Sequence, residues 1–241
     1  MLPADDPRLV EWRTEYGDMF RGTGNYEQAR DVYEQAMEEA RVSLPVGNRA
    51  RWIVLADLQD ARVHTGDIDG ALALNDEILG DARSMEPPDP GRYAWGLDGR
   101  LGILEAMDAA DDLDLTAQSL PSSRRVQEVD QLLQDAITQW WDDAELMNLL
   151  AWGMATEHDG DRVRERYPNQ MLHVAQRACE LTRHEDANNL DTLARVHFIR
   201  GDLEQALALQ EQAVALPSEA TLHESLQETL LEYREALEGS R

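Results

Sequence analysis

The sequence predicts an all-α protein in which about five helical hairpins stack on one another and one further helix caps the last hairpin. Three observations predict this class. Apolar residues recur at helical spacing along most of the 241 residues, glycine-containing turns separate paired helices, and the distance from each turn glycine to the small residues after it repeats. A single hairpin cannot bury both of its apolar stripes, so we expect the copies to pack on each other.

The hairpin predicted over 187–217 shows the pattern most clearly. A turn at Gly201 separates two amphipathic helices, and Ala206 and Ala213 follow that glycine at intervals of five and seven residues. Glycine relieves backbone strain in such a turn, and small residues allow paired helices to approach closely. The positions that carry the pattern are Leu190, Leu193, Ala194, His197, Gly201, Asp202, Ala206 and Ala213.

The same intervals occur in two hairpins predicted over 7–43 and 49–84. Each contains a turn glycine followed by small or apolar residues at the same distances of five and seven. The corresponding residues are Gly24, Ala29 and Ala36 in the first hairpin and Gly66, Ala71 and Ile78 in the second. This recurrence indicates a repeat rather than one isolated helical pair.

Two further hairpins, predicted over 92–141 and 143–183, depart from the pattern by insertions. An acidic loop over 111–122 lengthens the turn of the former, and a charged segment over 158–168 lengthens the turn of the latter. Loops of this length are often functional, although the sequence assigns them no role.

A final helix is predicted over 219–238. Leu222, Leu226, Leu230 and Tyr233 form one apolar seam on it, opposite a glutamate-rich face. Such a helix buries one side on the preceding hairpin and leaves the other in water, as a cap does. We therefore expect residues 1–241 to form a single domain.

The charge balance excludes several classes of partner. The chain has 48 acidic and 22 basic residues, all the basic ones are arginine, and the net charge is -26. So acidic a surface repels phosphate backbones and anionic lipids, which argues against nucleic-acid or membrane partners. No run reaches the ~18–20 apolar residues of a membrane span, and no export signal is recognisable. We expect a soluble protein, cytoplasmic by default, or periplasmic if the chain is a processed fragment.

Sequence motifs of catalysis and metal binding are missing. There is no GxxxxGK, GxSxG, HExxH or CxxC pattern, and without lysine no Schiff base can form. The six histidines do not pair at ligand spacing, and Cys179 lies on an apolar stripe as a packed small residue would. The sequence thus predicts a protein without catalysis, cofactor or metal. The alternative, a helical enzyme using the acidic residues 111–114, would require a metal-dependent hydrolytic activity.

These spacings resemble the tetratricopeptide repeat, a helix-turn-helix unit of roughly 34 residues. Beside the hairpin over 187–217, the matching positions are Tyr16, Gly17, Phe20, Gly24, Tyr26, Ala29, Tyr33 and Ala36, and Leu55, Leu58, Gly66, Asp67 and Ala71. The segments NLLAW and RACELT, with the hairpin that follows, are also similar to the C-terminal repeat region of some bacterial thioredoxin-like proteins. The resemblance implies a right-handed superhelical solenoid whose first helices line a concave groove.

In this family the groove binds proteins or peptides, so the resemblance implies a non-catalytic binding scaffold. Asparagine suits such a groove because its amide both donates and accepts hydrogen bonds. Carried over by register, the binding positions are Asp18, Arg21, Asp60, His64, Asn148, Trp152, Asn188, Asp191, Arg195 and Phe198. The alternative interpretation is that these are ordinary polar positions exposed to solvent. The alternative function is a self-associating or spacer module that accompanies a thioredoxin-like or other enzymatic domain.

Overall fold

The structure is a computed structural model that describes residues 6–113, 122–156 and 161–239. These residues form twelve α-helices and no β-strand, which confirms the predicted all-α class. None of the helices described is long and apolar enough to cross a membrane. The helices are α1 Pro7–Gly22, α2 Tyr26–Ser43, α3 Arg49–His64, α4 Ile68–Ser84, α5 Pro90–Leu113, α6 Ser122–Trp140, α7 Ala144–Thr156, α8 Asp161–Arg166, α9 Pro168–Leu181, α10 Ala187–Ile199, α11 Leu203–Ala215 and α12 Ala220–Gly239.

The two segments predicted as insertions are described only in part. Residues 114–121 of the predicted acidic loop lie outside the described residues, between α5 and α6. Residues 158–160 of the charged segment, and residue 157 before it, also lie outside them. The remainder of that segment comprises the short helix α8, Tyr167 and the first residue of α9.

The tight turns between paired helices rest on glycines with left-handed backbone angles. Gly24, Gly66 and Gly201 have φ values of 76°, 79° and 82°. A residue with a Cβ is strained there, which explains why glycine recurs at this position. The turns also prepare the next helix: the Asp67 carboxylate accepts the backbone N–H of Gly70 at 3.1 Å and so caps α4.

A close approach of α1 and α2 explains the small residue at position 17. A Cβ added to Gly17 would collide with the ring of Tyr33, which is fully buried. The Tyr33 hydroxyl donates a 2.6 Å hydrogen bond to Oδ1 of Asp18, the residue after Gly17 on α1. Packing between the helices thus depends on a glycine facing a tyrosine.

The chain forms two compact units. Unit 1 comprises residues 1–88 and 99–129, and unit 2 comprises residues 89–98 and 130–241. Within unit 1, α1 packs on α2, α2 on α3 and α3 on α4, and α1 also contacts α3. Within unit 2, α7 packs on α9 and α10, α9 on α10, α10 on α11 and α11 on α12.

Unit 1 has a polar network in its interior. Arg100 is 4% exposed, and its Nε donates to Oδ1 of Asn75 at 2.9 Å. Asn75 in turn donates to Oε1 of Gln59 at 3.0 Å, and the Arg100 guanidinium pairs with Asp76 and, at 3.4 Å, with Glu128. Arg100, Asn75 and Gln59 are buried and hydrogen-bond one another, whereas Asp76 and Glu128 are exposed partners of the guanidinium. The network joins α3, α4, α5 and α6 of the unit.

In unit 2, α12 buries three residues of the seam that its sequence pattern indicates, whereas Leu222 is partly exposed. Leu226, Leu230 and Tyr233 are buried, while the glutamates between them face water. The side-chain amide of Gln210, buried on α11, donates to the backbone carbonyl of Leu226 at 3.1 Å. Apolar burial and one buried hydrogen bond therefore hold α12 on α11.

Candidate binding groove

A groove of about 580 Å³ lies within unit 2, between one face each of α7, α10 and α12. This volume falls within the about 300–1,000 Å³ typical of ligand pockets. Glu145, Asn148, Leu149 and Trp152 line it from α7. From the turn before α10, and from α10 and α12, the lining includes Asp186, Asn188, Asp191, Thr192, Leu222 and Ser225.

The groove brings together four of the residues predicted to bind a partner: Asn148 and Trp152 on α7, and Asn188 and Asp191 on α10. Consecutive first helices pack side by side, because α7 contacts α10 directly. Residues at the same register of α7 and α10, such as Asn148 and Asp191, therefore line the same groove. Their role in binding remains a prediction.

Arg195 and Phe198 lie one and two turns further along α10, where α12 covers them. Arg195 donates to both carboxylate oxygens of Glu232, at 3.2 and 3.3 Å. Phe198 stacks on the buried Tyr233 with ring centroids 4.4 Å apart. The guanidinium of Arg195 also lies 5.4 Å from the centre of the Tyr233 ring. Both side chains are thus engaged with α12 rather than lining the groove.

Among the residues that the structure describes, the charged side chains that line the groove are acidic. Glu145, Asp186 and Asp191 contribute carboxylates, and no arginine or histidine is among these described lining residues. Asp186 caps α10, accepting the backbone N–H of Asn189 at 2.9 Å. Asp191 accepts one hydrogen bond, from Nε2 of Gln210 at 2.8 Å. Burial raises the pKa of Asp191 above its ordinary value, and the Gln210 hydrogen bond and the charge of Arg195 only partly oppose that rise.

The α7 side of the groove combines an amide with exposed apolar surface. Oδ1 of Asn148 is buried and accepts no hydrogen bond from any described residue. Leu149 and Trp152 are each 39% exposed, although both are large apolar side chains. The α7 side of the groove therefore combines a buried polar atom that lacks a described partner with apolar surface that is exposed to solvent.

The corresponding residues of unit 1 have a different arrangement. Arg21 on α1 donates to Oδ1 of Asp57 on α3 at 2.7 Å and to Oδ1 of Asp18 at 3.0 Å. Asp18 also accepts the Tyr33 hydroxyl, so its Oδ1 atom serves two donors. The predicted residues Asp18 and Arg21 are therefore partnered within the unit.

The two other predicted residues of unit 1 also find local partners. Nδ1 of His64 lies 3.3 Å from Oδ1 of Asp60 and 3.0 Å from its backbone carbonyl oxygen. The His64 ring stacks on Tyr26, with centroids 3.9 Å apart. Together, Asp18, Arg21, Asp57, Asp60 and His64 form what we call the unit 1 cluster.

Asp57 is the member of this cluster that the sequence did not single out. It is 8% exposed, and burial raises its pKa to about 7, although the charge of Arg21 acts in the opposite direction. The negative charges of Asp18 and Asp60 add to the rise. A signal was present, because Asp57 precedes Asp60 by one helical turn, but its burial depends on how α1 and α3 pack.

Residues 189–222, which span most of α10 and α11 and the start of α12, match the family model of the tetratricopeptide repeat. This segment contributes Asn189, Asp191, Thr192 and Leu222 to the lining of the groove. It resembles a tetratricopeptide repeat. The match confirms the resemblance expected from the sequence, and the fold suggests a protein-interaction scaffold.

Two solved structures of repeat proteins are similar to the chain. One is a thermophilic tetratricopeptide repeat protein of Thermus thermophilus, 18% identical, with 92% of this chain and 99% of that chain covered and a TM-score of 0.37. The other is a putative kinesin light chain of Podospora anserina with nearly identical repeats, 14% identical, with 87% and 95% covered and a TM-score of 0.39. No curated protein sequence matches the chain.

The described residues contain one cysteine, and its thiol is buried. Cys179 on α9 is fully buried, its thiol donates to the backbone carbonyl of Asn189 at 3.2 Å, and burial raises its pKa to about 12. The thiol is therefore neutral at physiological pH and inaccessible to substrates. Within the described residues, no group of three or more histidine, cysteine, aspartate or glutamate side chains is placed to hold a metal ion.

Proposed function

We propose that this protein is a non-catalytic scaffold that binds an extended segment of a partner protein in the unit 2 groove. The observation that carries the proposal is the α7 wall, where the unused Oδ1 acceptor of Asn148 lies beside the exposed side chains of Leu149 and Trp152. A peptide backbone supplies N–H donors that can hydrogen-bond the Asn148 amide once its side chain turns Oδ1 toward the groove, and a peptide side chain covers the exposed apolar surface.

The test is affinity capture from the source organism with three forms of the protein: wild type, N148A/W152A and L231A. Leu231 is a control because this large apolar side chain is 58% exposed on α12 and is not among the residues that line the groove. We expect a partner that the wild type and L231A recover and N148A/W152A loses. Calorimetry with that purified partner should show at least about a tenfold rise in Kd for the double variant, since buried aromatic anchors dominate such interfaces. Equal recovery by all three forms would contradict the proposal.

A second candidate function, self-association, is favoured by a separate observation on α1. Trp12, Tyr16 and Met19 are 57%, 51% and 67% exposed, and they follow one another at helical spacing on a single face. Three large apolar side chains on one face form the kind of patch that marks an interface. Sedimentation equilibrium over a range of concentrations tests this candidate: W12E/M19E should abolish any dimer of the wild-type chain, and a wild type that stays monomeric throughout would exclude it.

A further inference from the structure

The carboxylates of the groove are not neutralised by the side chains around them. Glu145 is exposed in the first turn of α7 and pairs with none of the basic side chains that the structure describes. The basic side chain that follows Asp191 on α10, Arg195, is already engaged by both oxygens of Glu232. The groove therefore presents negative charge that lacks a counterion within its own lining.

Asp191 is a carboxylate of the groove that a ligand cation would stabilise. Its carboxylate is partly buried, and one neutral amide, that of Gln210, is its hydrogen-bond donor. A carboxylate that is withdrawn from water loses more solvation free energy than one hydrogen bond from a neutral donor returns. Burial accordingly favours its protonated form, and a ligand cation would favour the ionised form.

The wall opposite Asp191 is less polar. Leu149 and Trp152 expose apolar surface on α7, and a tryptophan face also attracts cations. The side chains of arginine and lysine combine an apolar stem with a charged end, so they can cover such a wall while their charge reaches a carboxylate. An acidic segment would instead meet three like charges.

We infer that the unit 2 groove is selective for a cationic segment, in which arginine or lysine alternates with apolar residues, and that Glu145 and Asp191 receive its positive charges. This inference rests on the proposed function and names the chemistry of its partner. Asn148 contributes the acceptor for a backbone N–H, and Trp152 contributes the apolar contact.

Three blocked fluorescent peptides test the inference by fluorescence anisotropy: one in which arginine and leucine alternate, and two in which glutamine or glutamate replaces arginine. Because the whole protein carries a charge of -26, a cationic peptide would also be attracted non-specifically. The decisive comparison is therefore between E145Q/D191N and a control, E204Q/E235Q, that removes the same number of charges from exposed positions of α11 and α12 outside the groove.

We expect E145Q/D191N to raise the Kd of the arginine peptide about tenfold and the control variant to change it less than about twofold. Thermal melts followed by circular dichroism establish that both variants fold. The glutamine peptide should bind wild type about tenfold more weakly than the arginine peptide, and the glutamate peptide should not bind.

Three results overturn the inference. If both variants weaken binding equally, the attraction belongs to the general acidic surface. If the glutamine peptide binds as tightly as the arginine peptide, the groove accepts peptides without regard to charge, and the proposed function stands while the inference fails. If no peptide binds to wild type, the inference fails, and capture with N148A/W152A still decides the proposed function separately.

Discussion

The unit 1 cluster lies on first helices of hairpins, and the unit 2 groove lies between two first helices and α12, yet their polar residues behave differently. In unit 1, Arg21 bridges Asp18 and Asp57, and His64 lies against Asp60. In unit 2, Oδ1 of Asn148 has no partner among the described residues, and no cationic side chain is among the described residues that line the groove beside Glu145 and Asp191. Polar residues of first helices are thus paired with one another in unit 1, whereas several of those in the unit 2 groove are not.

The difference follows from one arginine and its neighbours. Arg21 reaches from α1 to α3, where a buried carboxylate needs a counterion. The basic residue of α10, Arg195, points instead to α12 and pairs with Glu232 there. In unit 1 the arginine is directed to the adjacent first helix, so the acidic groups there are paired. In unit 2 it is directed to α12, so acidic groups that line the groove have no cationic partner among the described lining residues.

The largest expected effect concerns Arg21 of α1, compared with Arg195 of α10. R21A should lower the free energy of unfolding by about 2–3 kcal/mol at about pH 8, because it leaves the buried Asp57 without its cation. R195A should cost less than about 1 kcal/mol, because its partner Glu232 is half exposed. Urea denaturation of both variants measures this. Equal losses would show that the two ion pairs do not differ as the geometry indicates.

A smaller effect concerns the pH dependence of unit 1. The pKa of Asp57 is raised to about 7 by burial, so folding favours its protonated form, and the stability it contributes is lost as pH rises through that value. Between about pH 5 and about pH 8, wild type should lose about 2 kcal/mol relative to D57N, which cannot titrate there. Unfolding curves of both forms across this range provide the measurement, and parallel profiles would contradict the raised pKa.

The next comparison sets one hydroxyl of unit 1 against one amide of unit 2. Y33F removes the donor to Asp18 and should cost about 1 kcal/mol of unfolding free energy. N148A removes an acceptor that no described residue uses, so its unfolding free energy should stay within about 0.5 kcal/mol of wild type. Chemical denaturation distinguishes them. A large loss of unfolding free energy in N148A would mean that this amide stabilises the fold and is not reserved for ligand binding.

The smallest effect is a response of the whole chain to salt. A net charge of -26 produces self-repulsion that added ions screen, whereas the exposed ion pairs that salt weakens contribute little. We expect the Tm to rise by a few degrees between low and roughly molar sodium chloride. Calorimetric melts across that range would show it, and a flat or falling Tm would mean that repulsion is not a significant cost.

Much of the helical pattern could be predicted because its causes are local. The turn at Gly66, the cap supplied by Asp67 and the apolar seam of α12 each depend on residues within a few positions of one another. The repeat spacing also predicted that Asn148 and Asp191 line the same groove. It could not predict that Oδ1 of Asn148 lacks a described hydrogen-bond partner, or that Asp191 lacks a cationic partner among the described lining residues, because the possible partners are distant in sequence.

The sequence alone therefore determined an acidic, lysine-free, all-α chain of hairpins, because periodicity, turn glycines and composition act over a few residues or over the whole surface. Only the tertiary structure decided which polar groups are satisfied. Asp57 is buried because α1 packs against α3, and Arg195 is engaged because α12 presents Glu232 to it. Burial and ion pairing are set by residues distant in sequence, so the contrast between the unit 1 cluster and the unit 2 groove arises from packing.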